Sequence, residues 1–248
     1  MKNIALVTGA DKGIGFEVCR QLAQRGYTVF LGSRDLAKGR QAAARLADTQ
    51  LDVQPILLEL QQPETFASAL SLIGTTHGRL DALVNNAGIA LDWGYQADTV
   101  PMELLRQTFE VNFFGMVELT QKLLPLIRQS PAGRIVNQSS RLGSLTLHST
   151  RGTDMDSLKA FAYDTTKTAI NSFTVHLAYA LRDTPIKVNS AHPGVVQTNL
   201  NSALVRSEAN PPTILDAASG AQTAVALATL PSDGPTGGFF HFGHSLPW

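Results

Sequence analysis

Ile4-Ala5-Leu6-Val7-Thr8-Gly9-Ala10-Asp11-Lys12-Gly13-Ile14-Gly15 decides the reading of this chain. Four apolar residues, two of them β-branched, form a short buried strand. A glycine-rich turn follows. Ile14, Val18 and Leu22 then recur at i, i+4 and i+8, with Cys19 and Ala23 beside them, as one apolar stripe of a helix that should stop at Gly26. A strand, a glycine turn and a helix N-terminus bring free backbone N–H groups and the positive end of a helix dipole to one point, which suits a phosphate. The spacing is G-x-x-x-G-x-G rather than the commoner G-x-G-x-x-G. The turn alone is therefore a weak signal, and its support must come from the rest of the chain.

That support begins with a regular rhythm. Strands are expected at Thr28–Leu31, Val53–Leu60, Leu80–Asn85, Arg134–Ser139, Lys187–Ala191 and Gly238–Phe242. Between them come helical patterns at Leu36–Leu46, Pro63–Ile73, Met102–Arg128 (one long helix or two joined), Phe161–Arg182 and Ala217–Leu230. On the Phe161 helix, Phe161, Ile170, Phe173, Leu177 and Leu181 are expected on or near the buried side. Alternation of apolar strands with helices predicts an α/β, Rossmann-type doubly wound parallel sheet of about seven strands, with helices on both faces. With no linker, repeat or low-complexity tract, residues 1–248 are expected to form one domain.

Bulk properties agree. The chain has 248 residues, 44% hydrophobic and only 16% charged, against roughly 25% charged in an average soluble domain. Much of it should be buried. Net charge is zero and there is no basic tract, so neither nucleic acid nor an anionic membrane surface is an expected partner. One cysteine, Cys19, excludes a disulfide framework or a cysteine-rich metal site, and no metal ligands are assigned. No signal-peptide pattern and no apolar run of spanning length is found, so a cytoplasmic location is the expectation.

The end of the second strand bears on which dinucleotide would fit. An acidic residue there favours NAD, and arginine favours a 2′-phosphate. This chain reads Gly32-Ser33-Arg34, with no carboxylate until Asp35. Ser33 and Arg34, with Lys12 in the glycine turn, favour NADP. Late in the chain, Tyr163 and Lys167 lie at i, i+4 on the Phe161 helix. Such pairs are usually plain surface neighbours. Joined to a nucleotide cradle, they suggest hydride transfer with a tyrosine as proton donor or acceptor.

At this point the chain resembles the short-chain dehydrogenase/reductase family over essentially its whole length. The motifs are Thr8-Gly9-x-x-x-Gly13-Ile14-Gly15, Asn85-Asn86-Ala87-Gly88, Asn112, Ser139-Ser140, Tyr163-x-x-x-Lys167 and Pro193-Gly194-x-x-x-Thr198. The resemblance implies that Tyr163 exchanges the proton and that Lys167 lowers its pKa and bonds the nicotinamide ribose. It implies that Ser140, the second of its pair, polarises the substrate carbonyl, and that Asn112 holds a water linking Lys167 to solvent. For the cofactor it implies contacts from Gly9, Gly13, Ile14 and Gly15. Glu59 and Leu60 come against the adenine, with Glu where the family usually has Asp. Asn86, Ala87 and Gly88 serve the adenosine side. Pro193, Gly194, Val196 and Thr198 hold the nicotinamide amide and phosphates. His148, His192 and His244 are read as loop or packing residues near the active edge.

One departure stands out. Residues 141–162 separate Ser140 from Tyr163, roughly twice the gap usual in the family. The extra stretch, Leu145–Lys159, is polar. A similar but longer insertion occurs in the monomeric carbonyl reductases, where it covers the helix face that other members use to pair, and the C-terminal Gly234-Pro235-Thr236-Gly237-Gly238-Phe239-Phe240 run also resembles that subgroup. The expected activity is NADPH-dependent reduction of a ketone or aldehyde. Oxidation of a secondary alcohol uses the same residues. A redox sensor that binds NADP without chemistry would be expected to lack Tyr163 or Lys167. Monomer and homodimer both stay open. Trp93, Tyr95, Leu142, Leu145 and Leu204 would make a partly apolar pocket for a lipophilic or aromatic small molecule.

Overall fold

The computed structural model describes residues 2–47, 49–153, 155, 158–198, 200 and 214–248. It contains one eight-stranded sheet in the order β3-β2-β1-β4-β5-β6-β7-β8. The strands are β1 (Ile4–Val7), β2 (Thr28–Ser33), β3 (Val53–Leu57), β4 (Ala82–Asn85), β5 (Arg134–Gln138), β6 (Lys187–Ala191), β7 (Phe239–His241) and β8 (His244–Ser245). The first seven run parallel, and β8 turns back antiparallel on β7. The sequence reading expected about seven strands. The eighth is two residues long, beyond the reach of a period-2 pattern. The expected strand Val53–Leu60 ends at Leu57, and Glu59 and Leu60 lie in the loop beyond it.

Alternate side chains of each central strand point to opposite faces, as pleating requires. Ala5, Val7, Val29, Leu31, Ala82, Val84 and Val136 pack on one side with Phe16, Val18, Leu22, Ala221 and Val225. These last come from α1 (Gly13–Gln24) and α8 (Ala217–Ala228); α2 (Leu36–Ala47) adds Ala42 and Leu46. Ile4, Leu6, Phe30, Leu83 and Ile135 pack on the other side against α3 (Pro63–His77), α5 (Met116–Ile127) and α7 (Phe161–Ala180). Burial on both faces is why these strands read as unbroken apolar runs. Cys19 is fully buried on α1, and burial pushes its thiol up, out of reach as a nucleophile.

The long helix expected from Met102 to Arg128 is continuous but not uniform. α4 (Met102–Phe109) passes through a π-helical turn, Glu110–Gly115, into α5. Such turns often mark functional positions, and this one carries Asn112. The polar stretch after β5 is also more ordered than its composition suggests. It holds a 3₁₀ turn (Arg141–Gly143) and α6 (Leu145–Ser149), and it buries Met155 and Leu158. Phe161, expected on the buried side of α7, is 37% exposed.

The strand order reverses between β1 and β4. The loops leaving their C-terminal ends diverge, and the crevice they leave is where open α/β sheets bind ligands.

Candidate active site

The glycine turn after β1 lies in that crevice. Gly9 (φ +60°) and Gly13 (φ +58°) occupy the left-handed region, where a side chain would be strained. A Cβ at Gly9 would sit 2.8 Å from Ala87 Cα, and one at Gly15 would sit 2.5 Å from Asn86 Nδ2. Thr8 explains the tight packing. Its hydroxyl accepts from Asn86 N–H (3.0 Å) and Ala87 N–H (2.9 Å), and Asn86 Nδ2 donates to the carbonyls of Thr8 (2.9 Å) and Gly9 (3.0 Å). Asn86 and Ala87 therefore brace the turn. At Gly13 a built Cβ would meet Thr198 Cγ2 at 3.9 Å and nothing nearer among the described residues beyond its chain neighbours and own helix. The α1 N-terminus thus faces an open cradle closed on its far side by Thr198, and its first-turn N–H groups have no intrahelical partner. Lys12 is exposed at the N-cap position.

The other expected cofactor residues lie around the same crevice. Ser33 is buried and bonds Asp35. Asp35 caps α2, accepting from Ala37 N–H (3.0 Å) and Lys38 N–H (3.1 Å), so its carboxylate is occupied by its own helix. Arg34 is exposed at the strand end. Glu59 N–H donates to Thr65 Oγ1, and Leu60 is buried. Gly194 has φ +86°, and Val196 bridges Leu215 in a short parallel contact beside α8. Pro193 is half-buried before them. Ile14 packs against Gly220 and the lower core.

Tyr163 is the third residue of α7, within its first turn, and is buried. Burial pushes its phenol up; the neighbouring Asp164 pushes it further, and a hydrogen bond with Ser140 opposes both. Ser140 begins the turn after β5 and also accepts from Leu142 N–H (3.2 Å). Ser139 points elsewhere, at 3.4 Å from the Lys167 carbonyl. Lys167 is buried one turn below Tyr163, its ammonium 5.4 Å from the phenol ring centre, and it donates to the Gln138 carbonyl (2.7 Å). Desolvation brings the amine down to about 8.

The amide of Asn112 is largely committed. Its Oδ1 accepts from Ile89 N–H (2.8 Å), and its Nδ2 donates to the Ile89 carbonyl (2.8 Å) and Thr166 Oγ1 (3.1 Å). One acceptor position on Oδ1 is left for a water. Asn112 Oδ1 and Lys167 Nζ flank the same point, 3.3 and 3.8 Å from where a Cβ on Gly88 would be.

Above Tyr163 lies an apolar patch of Leu142, Met155, Leu158 and Ala160, with Ala90, Trp93, Leu147 and Leu200 packed at its edge. The Trp93 ring is 5.8 Å from the Tyr163 ring. Of the expected pocket residues, Trp93 and Leu142 join this patch, whereas Tyr95 and Leu145 are largely exposed. Leu204 lies outside the described residues.

Two groups escaped the sequence reading, and a third was read there only as a loop or packing residue. Asp92, fully buried, accepts from Ala162 N–H (2.6 Å) and Tyr163 N–H (3.3 Å). Asp164, the neighbour of Tyr163, is pushed up to about 7 by burial and by Asp92, against a bond from Ala160 N–H and the charge of Lys159. His148 is more than a packing residue. Its Nε2 lies 2.9 Å from the Leu142 carbonyl and 3.3 Å from Asp164, and Lys159 Nζ lies 2.7 Å from its Nδ1. Burial lowers its pKa, which fits a neutral ring accepting from Lys159 and donating to Leu142. His192 is buried with its Nδ1 3.3 Å from Arg141 N–H, and desolvation lowers it to about 3, so it is neutral. His244 is exposed on β8. Among the described residues no cluster of three His, Cys, Asp or Glu side chains could hold a metal ion, and no helix is long and apolar enough to cross a membrane.

A parallel sheet with a phosphate cradle at its switch point, and a buried Tyr/Lys/Ser group beside it, defines a nucleotide-dependent oxidoreductase. The family model for short chain dehydrogenases matches residues 3–209, and the chain belongs to that family. It is similar to a (+)-neomenthol dehydrogenase of Capsicum annuum, 32% identical with 96% of this chain and 95% of that protein aligned. The solved structure of salutaridine reductase from Papaver somniferum superposes with a TM-score of 0.81 at 29% identity, covering 96% of this chain and 99% of that one. A short chain dehydrogenase from Shigella flexneri, solved as a complex with NADP, superposes with a TM-score of 0.83 at 28% identity, covering 96% and 95%.

Proposed function

We propose that this chain is an NADPH-dependent carbonyl reductase, with Tyr163 giving a proton to the oxygen of a ketone or aldehyde. NADP(H) is its cofactor. The glycine cradle leaves no room for side chains at Gly9 and Gly15, and the exposed Arg34 at the strand end and Lys12 in the turn would supply positive charge to a 2′-phosphate. Asp35, the carboxylate next to Arg34, is occupied as a helix cap. The relative from Shigella solved with NADP supports the same choice.

The reduced cofactor supplies the hydride when it is bound. The chain's own residues then do four things. Ser140 bonds the phenol and would bond the same carbonyl oxygen. Tyr163, kept protonated by burial, delivers the proton. Lys167 holds positive charge beneath the ring. Asn112 ties the loop at Ile89 to α7 and keeps one acceptor position for water.

The observation that carries the reading is the buried group of Tyr163, Ser140 and Lys167 beside the glycine cradle, in which burial keeps a proton on the phenol. The apolar patch with Trp93 and Leu142 suits a lipophilic substrate, in keeping with relatives named as neomenthol dehydrogenase and salutaridine reductase. We also infer that residues 1–248 act as one domain, since all eight strands join one sheet.

A panel of lipophilic ketones and aldehydes, followed by loss of NADPH absorbance, tests the reading. Tyr163→Phe should lower kcat about 10³-fold with NADPH affinity retained. Turnover by Tyr163→Phe at the wild-type rate would end the mechanism.

A further inference from the structure

We propose that Asp92 is a positioning residue: it caps the α7 helix from a distant loop and thereby sets the phenol of Tyr163. This rests on the reading of Tyr163 as the proton donor. The helix has no cap of its own. The residue before it, Ala160, offers no side-chain acceptor, and the N–H groups of its first turn need partners. An aspartate at the N-cap would normally accept from the second and third helical N–H groups. Ala162 and Tyr163 are those residues, and both donate to Asp92, at 2.6 and 3.3 Å, across about 70 positions of sequence. The carboxylate spans both donors with its two oxygens and is fully buried.

The loop is built to hold that carboxylate still. Tyr95 N–H donates to the Asp92 carbonyl (3.1 Å), closing a turn in which Gly94 has φ +95°. The next side chain, Trp93, packs against the Tyr163 ring and donates its indole N–H to the Leu200 carbonyl (2.9 Å). One loop therefore fixes the backbone of Tyr163 through Asp92 and touches its ring through Trp93. Tyr163 belongs to the first turn, the part of a helix most prone to fray. Loss of the cap would let the phenol drift from Ser140 and from the charge of Lys167. The cofactor cradle, tied together by Thr8 and Asn86, makes no bond to Asp92 among the described residues and should be untouched.

The experiment compares Asp92→Ala, Asp92→Asn and Tyr163→Phe with the wild type, using NADPH and one carbonyl compound that the wild type reduces. Asp92→Ala should lower kcat about 100-fold, the scale of a displacement near 1 Å at a reacting group. NADPH affinity, read by fluorescence titration, should stay within about twofold, and the solvent isotope effect on kcat should rise as proton transfer becomes limiting. Asp92→Asn keeps the shape and one acceptor, so it should recover about 10-fold of that loss. A folded Asp92→Ala with the rate and isotope effect of the wild type would overturn the proposal, as would an Asp92→Asn that recovers none of the loss. So would a kcat loss matched by an equal loss of NADPH affinity, which marks general damage. An active Tyr163→Phe would instead remove the underlying mechanism, so the two failures are told apart.

Discussion

At the N-terminal end of the sheet buried charge is surrounded by partners, whereas at the C-terminal end Lys167 and Asp164 have fewer of them among the described residues. Asp81, at the start of β4, accepts from Ile4 N–H (2.8 Å) and the Ser130 hydroxyl (2.6 Å) and pairs with Arg79 (3.0 Å). Arg134, buried at the start of β5, donates to the carbonyls of Leu230, Pro231, Gly133 and Pro185 at 2.8–3.2 Å. At the opposite end of the same strands, Lys167 donates to one carbonyl and is brought down to about 8. Asp164 is pushed up to about 7, and its Oδ1 has no partner among the described residues. The first end is arranged for stability. The second holds groups away from their ordinary protonation, which costs stability and poises them for proton transfer.

Removing a charge should therefore act oppositely at the two ends. Arg134→Ala leaves several buried carbonyls unmatched and should cost about 3–5 kcal/mol in chemical denaturation, with kcat of the folded enzyme unchanged within about twofold. A large loss of kcat without loss of stability would erase the contrast. A smaller effect is expected at the cofactor edge. Arg34→Ala should weaken NADPH about 10- to 100-fold and NADH by less than about twofold, since a charge-assisted bond to phosphate is worth about 1.5–3 kcal/mol. Equal weakening of both cofactors would show that Arg34 does not face the 2′-phosphate.

The cofactor half was legible in the sequence because its signals are local. The glycine turn, the two positive-φ positions and the switch from strand to helix all lie within Ile4–Gly15, and Asn86 follows its strand directly. The Tyr163/Lys167 pair, which helical spacing alone reads as surface neighbours, was legible only beside the glycine turn and the family's other motifs. The substrate half was not, because its contacts join distant segments. Asp92 caps a helix some 70 residues away, so no capping pattern precedes Phe161. Met155 and Leu158 are two apolar residues in a polar stretch, too sparse for periodicity, yet both are buried over the phenol. The π-turn at Asn112 has no sequence signature of its own. His148 was readable as a residue near the site, but its bonds to Lys159 and Leu142 depend on how that stretch folds back.

The smallest expected effect sharpens the contrast most, because it separates stability from proton chemistry within one residue. In the unfolded chain Asp164 should titrate near 3.9, and in the fold it titrates near 7. Between those values the folded state binds more protons than the unfolded one, so stability falls as pH rises from about 4 to about 7 and the full penalty persists above. Asp164→Asn removes the titration and keeps a carbonyl acceptor for Ala160 N–H (3.1 Å). Its melting temperature should exceed that of the wild type at pH 8 by about 2–4 °C for each kcal/mol of that penalty the amide relieves, with the advantage vanishing near pH 4. The same change removes a negative neighbour that pushes the Tyr163 phenol up. The alkaline fall in reduction rate should then begin at lower pH, and alcohol oxidation should gain at a given pH. Melting curves from pH 4 to 8 and rate profiles in both directions check the two effects together. A stability gain at every pH alike would mean that Asp164 is not the titrating group.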